Sequence, residues 1–465
     1  MDVLITTLIG FVGLTTLYSV IIFIVYIISA LRAFKNYKPS PILREDISNE
    51  SKVTIVIPAY NEEVVINQTI ESILKQDFQN FDIVVVNDGS TDNTVKTIVD
   101  KFNLKKSNQS YLKKINEKVN TFSNKMDISP IENIYKSSDS KIVVIDKLNG
   151  GKSTALNVGS IYSDSDWVLN IDADTLLSID AISTVLKKKR DDVDAVSCMI
   201  GILNGNEIVD EQIVNPTIPK KILPRIQWLE YLRSFVLWRT ANDESNATLV
   251  ISGAFGFIKR AKILEIGGYK KDFLGEDMEL TMNIHAHNGK IQFLSEILAW
   301  SEVPEDLDSL GKQRIRWYRG GLQSLIHYRN MLLNKKDNKF LGFFLIPFLW
   351  FADVFGPWVE LFGWILILFH IGIGTVINLK LYLLLYLLIT ILHWISMSLV
   401  IGFAYSKLDK NVAADKMYRI IPVIIFETVS YHFIHFFWMI KSHTLHYLGF
   451  KKRWNKFKRI GHISK

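Results

Sequence analysis

A single cysteine, Cys198, stands in 465 residues, so no disulfide can close within the chain. That agrees with a reducing, cytoplasmic location for its soluble part. Charge is also sparse: 22% charged residues against 48% hydrophobic ones, a balance that suits a soluble domain fused to helices in lipid. The histidines have no zinc-ligand spacing, and His432 with His435 reads as one side of a helix. No basic helix or aromatic RNA-binding strand motif accompanies the net charge of +7, which sets nucleic acid aside as a partner. A Walker A loop needs glycine five residues before the Gly151-Lys152 pair; Asp146 stands there, and a P-loop ATPase is disfavoured.

What charge there is clusters. Arg32, Lys35 and Lys38 follow the first apolar run, and Lys451, Lys452, Arg453, Lys456, Lys458 and Arg459 crowd the far end. Juxtamembrane basic groups of this kind mark the cytoplasmic side and contact anionic lipid. Residues 3–31 are almost uncharged and long enough to cross about 30 Å of hydrocarbon. They lack the basic leader, short apolar core and small-residue cleavage site of a secretory signal, so residues 1–35 read as a retained transmembrane anchor.

Residues 52–335 read as a cytoplasmic domain. Val53-Thr54-Ile55-Val56-Ile57, Ile83-Val84-Val85-Val86, Lys141-Ile142-Val143-Val144-Ile145 and Trp167-Val168-Leu169-Asn170-Ile171 are apolar runs of the kind buried in parallel strands. Residues 63–74 between the first two have helical spacing. The expectation is an α/β sheet with ligand groups at the carboxyl ends of its strands. Residues 101–140 interrupt the pattern with Lys, Asn and Ser, and read as an insertion or surface helix without chemistry. From residue 340 the chain is apolar again, with membrane segments expected at 340–375, 381–404 and 420–440 and a basic tail over 441–465. Pro347, Asp353, Pro357 and Glu360 make the first of these a broken or interfacial helix. The positive-inside rule conflicts with itself, because Lys407, Lys410, Lys416 and Arg419 and the tail both ask for the cytoplasm across one crossing. A cytoplasmic tail follows if residues 340–375 cross twice or lie along the surface.

The candidate chemistry sits between these segments. Pro58-Ala59-Tyr60-Asn61-Glu62-Glu63 and Asn87-Asp88-Gly89-Ser90-Thr91-Asp92 follow adjacent strands, where polar loops make a nucleotide pocket. In it Asp88 can accept from a base N–H and Glu62 from a ribose hydroxyl, although an ordinary Asp-Gly turn capping a helix explains the second loop equally well. Gly150-Gly151-Lys152 is a glycine-rich turn with a lysine entering a helix, suited to a phosphate or an acidic neighbour. Asp172-Ala173-Asp174 ends an apolar strand; alternation should put both carboxylates on one side, the arrangement in which a divalent ion shares carboxylates with substrate phosphates. Gly275-Glu276-Asp277 places Asp277 at a helix start, where the dipole should lower its pKa and keep it ionised to take a proton; a simple N-cap reads the same way. Gln313-Arg314-Ile315-Arg316-Trp317 opens an amphipathic helix, with Arg316 shaped for phosphate oxygens and Trp317 for a sugar ring. A Trp and Arg anchoring a helix at the lipid interface is the bland alternative.

In their order, the stretches VIPAYNEE, VVVNDGSTDNT, NGGKSTALNVG, LNIDADT, VISGAFGFIKR, GEDMEL and QRIRWYRGG resemble those of processive, membrane-embedded family 2 glycosyltransferases. That group includes cellulose, hyaluronan, chitin and poly-β-1,6-N-acetylglucosamine synthases, and the SGAFGFIKR stretch is most similar to the last. The resemblance implies a GT-A-like (Rossmann-like) mixed-sheet cytoplasmic domain plus an α-helical transmembrane domain, in a multi-pass protein of the cell membrane. It implies an inverting transferase that takes sugar from a UDP-sugar donor, foremost UDP-N-acetylglucosamine, with Mg²⁺ or Mn²⁺. The acceptor is then a growing glycan or a lipid-linked acceptor, and an accessory membrane subunit is a further expected partner. By the same resemblance Asp88 contacts uracil, Lys152 lies near the donor phosphates, and Asp172 with Asp174 holds donor and metal. Asp277 is the base, Ser252 belongs to a loop near the acceptor, and Gln313, Arg316 and Trp317 bind diphosphate and acceptor sugar. A non-processive transferase acting on a lipid-linked acceptor, and a catalytically dead scaffold, are the competing readings.

Overall fold

The computed structural model describes residues 51–334, 338–372 and 420–450, with isolated positions between 10 and 35 and between 384 and 402. The expected N-terminal anchor, the 381–404 segment and the tail from residue 451 fall outside the described residues, apart from those isolated positions.

β1 (Val53–Ala59), α1 (Ile66–Leu74), β2 (Phe81–Asp88) and α2 (Thr94–Lys101) alternate as the apolar runs predict. β-Branched residues favour the pleat, and period-2 alternation divides β1 between two cores. Val53, Ile55 and Ile57 pack with Ile66, Ile70 and Ile73 of α1 on one face. Val56 packs on the other, against Ala155 and Val158 of α4 (Lys152–Tyr162).

Between α2 and α4 the structure differs from expectation. Residues 101–140 are an ordered part of the sheet: β3 (Lys105–Lys106), α3 (Gln109–Asn120) and β4 (Ile131–Lys136) precede β5 (Ile142–Lys147), and β4 pairs antiparallel with β5. α3 is capped by the Asn108 side chain, which accepts from Tyr111 N. It buries only Ile115 and Val119, a stripe one turn apart that is too thin to stand out among its lysines and asparagines.

β6 (Trp167–Asn170), β7 (Leu176–Leu177), α5 (Ala181–Lys188), β8 (Ala195–Ile202), the hairpin β9 (Glu207–Val209) and β10 (Gln212–Val214), α6 (Ile222–Leu232), β11 (Gly256–Lys259), α7 (Glu276–Ala286), β12 (Ile291–Ser301) and α8 (Leu307–His327) complete the domain. The 10-stranded sheet runs β3-β4-β5-β2-β1-β6-β11-β8-β12-β7. Its centre, β5-β2-β1-β6, is parallel, and β11 is antiparallel to β6 and β8. This is the mixed α/β sheet expected. Strand order reverses between β1 and β6, so the loops after β1, β2, β5 and β6 meet at one crevice.

After α8 one helical run continues as a π-helical turn Leu341–Leu345, Ile346–Leu349, a second π-helical turn Trp350–Phe355, and Gly356–Gly372. The break expected at its prolines does not occur; the π turns lie in front of Pro347 and Pro357 and the helix runs on. Leu341–Leu366 is the one helix among the described residues long and apolar enough to cross a membrane. One side packs on the α/β domain, with Leu345 and Ile346 against Met282 and Met331, and Val354 against Leu322 and Leu325. Phe355, Phe362 and Leu368 are exposed on the other. Residues 421–447 are helical throughout, and their last part, α9 (His432–Tyr447), lies along α8.

Candidate active site

The loops after β1 and β2 are zipped together. Asn61 N donates to Ser90 Oγ at 2.9 Å, Thr91 N to Asn61 Oδ1 at 2.8 Å, and Glu62 N to Thr94 Oγ1 at 2.8 Å. Asn61 holds this shape at φ 54°, a left-handed conformation that asparagine tolerates. Glu62 is buried at the mouth of the crevice.

Asp88 ends β2 but is not a bare acceptor. Its carboxylate takes the Lys147 ammonium from β5 and two backbone donors, Gly150 N at 2.9 Å and Gly151 N at 2.8 Å. Lys147 is fully buried, and burial lowers its pKa despite the carboxylate beside it. Asp88 therefore shapes the Gly150-Gly151 turn. Gly151 needs its φ of 94° for that turn.

The turn delivers Lys152, first residue of α4, into the crevice. Its Nζ lies 2.6 Å from Asp172 Oδ1 and 2.9 Å from Glu276 Oε1. Burial works against its charge, yet the two carboxylates outweigh that and raise its pKa. Gly253 closes over the pair: a Cβ there would sit 2.9 Å from Lys152 Nζ. The adjacent Ser252 takes a long 3.4 Å bond from Ala254 N.

β6 stops at Asn170, so Asp172 and Asp174 lie in a turn closed by Thr175 N on Asp172 O. Strand alternation does not govern them, contrary to expectation. Asp172 is partly exposed and Asp174 is buried. The donor set still fits a divalent cation. An ammonium already sits on Asp172 as a stand-in cation, and two carboxylates completed by diphosphate oxygens match a Mg²⁺ or Mn²⁺ site. Among the described residues there is no group of three or more His, Cys, Asp or Glu able to hold a metal by itself.

Asp277 stands in the first turn of α7, beside Glu276, and its Oδ1 accepts from Met278 N at 2.8 Å. The expected lowering of its pKa is corrected here: burial and the Glu276 charge raise it, and Lys152 and Arg316 offset only part. Desolvation outweighs the helix dipole.

Gln313, Arg316 and Trp317 come in from α8. That helix starts earlier than expected, capped by Asp306, whose side chain accepts from Ser309 N at 2.8 Å. The box thus lies in mid-helix rather than opening it. α8 meets the start of α7 backbone to backbone: a Cβ on Gly320 would lie 2.5 Å from Gly275 N. Arg314, buried against Glu230 of α6, lies over the Trp317 ring at 4.3 Å. Trp317 remains 38% exposed, which leaves surface for another ring. Gln313 Oε1 is buried without a hydrogen-bond partner among the described residues.

One crevice thus gathers Lys152, Asp172, Glu276 and Asp277, with Lys152 joining its two acidic sides, Asp88 behind the turn that carries Lys152, and the Arg316 charge felt at Asp277. Sequence reasoning passed over Lys147 and Gly320, and gave Glu276 no role of its own. A lysine ending an apolar strand next to Asp88 was the available signal for the first, and Glu276 was plain in its motif.

The class of protein is that of a glycosyltransferase. Residues 167–405, just over half of the chain, match the family described as Glycosyl transferase family group 2. Residues 54–120 match Glycosyl transferase family 2. The chain belongs to this family and is a glycosyltransferase. It is similar to the poly-β-1,6-N-acetyl-D-glucosamine synthase of Staphylococcus epidermidis, 25% identical over 315 residues, 66% of this chain and 65% of that one. The synthase of the same name from Staphylococcus aureus strain COL is 26% identical over 290 residues, 62% of this chain and 58% of the relative. The match therefore spans less than two thirds of either relative. In fold the chain is similar to the mannosyltransferase PcManGT of Pyrobaculum calidifontis, solved with GDP-Man and Mn²⁺: TM-score 0.52, 16% identity, 94% of this chain and 99% of that one.

Proposed function

We propose that this chain transfers N-acetylglucosamine from UDP-N-acetylglucosamine to a growing polysaccharide at a membrane, inverting the anomeric carbon. The observation that carries the transfer step is the Lys152 bridge, 2.6 Å from Asp172 and 2.9 Å from Glu276, with Asp277 next in sequence; the donor sugar and the polymer rest on the similarity to the poly-β-1,6-N-acetyl-D-glucosamine synthases. On this reading the donor phosphate and the acceptor hydroxyl meet at that bridge.

Asp277 takes the proton of the incoming hydroxyl as that oxygen attacks the anomeric carbon. Its raised pKa brings its basicity closer to working pH. Lys152 moves its charge from Asp172 to the departing diphosphate, and Arg316 adds its planar fork. Asp172 and Asp174 would hold Mg²⁺ or Mn²⁺, which when bound neutralises charge on the leaving group. Glu62 and Asp88 frame the nucleoside end; Ser252, Gln313 and Trp317 frame the acceptor. One base and no second carboxylate as nucleophile mean a single displacement, hence inversion.

Membrane attachment is part of the reading. Leu341–Leu366 is 26 residues, about 39 Å of helix, enough to cross. With residues 1–35 and the remainder of 340–440 it makes a multi-pass anchor around a cytoplasmic domain of residues 52–335. Lipids and an accessory membrane subunit are its expected partners there.

The test is the detergent-purified chain with a panel of UDP-sugars and Mg²⁺ or Mn²⁺, reading UDP release and product size together. High-molecular-weight product from UDP-N-acetylglucosamine alone is expected, and Asp277→Asn should lower it at least 100-fold. Short or lipid-linked product would overturn processivity, and full activity in a folded Asp277→Asn would overturn the base.

A further inference from the structure

The geometry points to Arg239 as a further binding residue of this transferase, one that donates hydrogen bonds to oxygens of the acceptor sugar next to Asp277. The inference rests on the transferase reading above and adds a residue to it.

Arg239 ends a π-helical run, Arg233–Arg239, that follows α6. Such turns are rare and re-aim side chains, often at functional sites. At the near end Arg233 is bound to Glu427, 2.9 Å away, ahead of α9. At the far end the Arg239 guanidinium lies over the Phe235 ring, 4.3 Å from its centroid. Phe235 in turn is stacked on Phe293 of β12. The cation rests on a rigid aromatic shelf.

Arg239 Nη1 is buried and donates to no acceptor among the described residues. Native structures seldom leave such a donor unmet, and an unmet one inside a site is a place where substrate completes the bonding. Trp238 packs in one cluster with Met278 and Met282, which sets the end of the run against the start of α7. Burial draws the Arg239 pKa down to about 10, and Asp277 is the largest charge working against that. Arg239 thus stays cationic near Asp277 without forming a salt bridge to it among the described contacts.

A group between them must satisfy both. Asp277 needs a hydroxyl proton to remove; Arg239 has only donors and needs neutral oxygens. A pyranose ring with free hydroxyls and an acetamide carbonyl supplies both chemistries. The diphosphate already has Lys152 and Arg316, which leaves the acceptor as the partner for this third cation.

The experiment uses the full chain in detergent with UDP-N-acetylglucosamine, Mn²⁺ and a β-1,6-linked N-acetylglucosamine pentasaccharide as acceptor. Arg239→Met and Arg239→Lys are compared with the parent for acceptor KM, donor KM and UDP affinity. Acceptor KM should rise about 10- to 100-fold in Arg239→Met, the range for a lost hydrogen bond to a charged group. Arg239→Lys should recover part of it, and UDP affinity should hold in both. A change confined to donor KM or UDP affinity overturns the assignment, as does no change at all. If Arg239→Met fails to bind UDP through misfolding, Arg239→Lys, which keeps stem and charge, decides on the same two criteria. A parent that transfers no sugar brings down the transferase reading and this inference with it; a parent that transfers, beside variants that match it, brings down this inference alone.

Discussion

Lys147→Met removes one ammonium and almost nothing else. In the parent that ammonium meets Asp88, Thr154 Oγ1 at 2.8 Å and Leu148 O at 3.0 Å, so all three of its donors are used. The Lys147 side chain has no exposure and that of Asp88 has 6%. Taking one partner from a buried pair strands the other charge, which costs about 3–5 kcal/mol. Gly150 N and Gly151 N still reach Asp88, so the lower figure applies. At about 2–4 °C per kcal/mol for a domain near this size, the unfolding midpoint should fall by about 6–12 °C. Thermal unfolding followed by tryptophan fluorescence, with and without UDP, reads this, and UDP affinity should drop as the Gly150-Gly151 turn loosens. Asp88→Asn on top of Lys147→Met should recover more than half of the loss, because no buried charge is then left alone. A midpoint within about 2 °C of the parent would refute the idea that a charged pair shapes this turn.

Two further tests address the crevice. Asp277 must be ionised to accept a proton, so activity falls as pH drops through its pKa, which burial and Glu276 hold above the usual aspartate value; Glu276→Gln should move the acid limb of the kcat/KM profile to lower pH, and an unmoved limb would count against Asp277 as base. Gly320→Ala forces a methyl to within 2.5 Å of Gly275 N, so α7 and α8 must part; transfer should fall more than 10-fold while UDP affinity holds, as paired rate and binding measurements would reveal.

Much of the fold was legible in residues 53–171 because buried parallel strands are nearly continuous β-branched runs. The 101–140 region was not, since α3 rests on Ile115 and Val119 and β4 gains its place by pairing with β5, a long-range fact with no local signature. The start of α8 was readable in principle from Asp306 before Ser309, but Trp317 drew the boundary toward itself. Asp277 shows why local rules fail at a site: the dipole argument leaves out burial, which with the neighbouring Glu276 charge raises its pKa against the cations that α4 and α8 bring to it. Arg239 carried no signal at all, for nothing in sequence tells that its Nη1 is buried without an acceptor among the described residues.

α8 is a single rod of 21 residues, about 31 Å long, and it touches α7, α9 and the apolar helix alike. Near its start Gly311 lies against Trp438 of α9, and Gly320 lies against α7. Farther along, Leu322 and Leu325 lie against Val354 of the apolar helix. A shift or tilt of that helix therefore reaches Gln313, Arg316 and Trp317 without crossing a loop that could absorb it. On the membrane reading proposed above, hydrophobic thickness, which alters the tilt of such helices, would reach turnover through this rod.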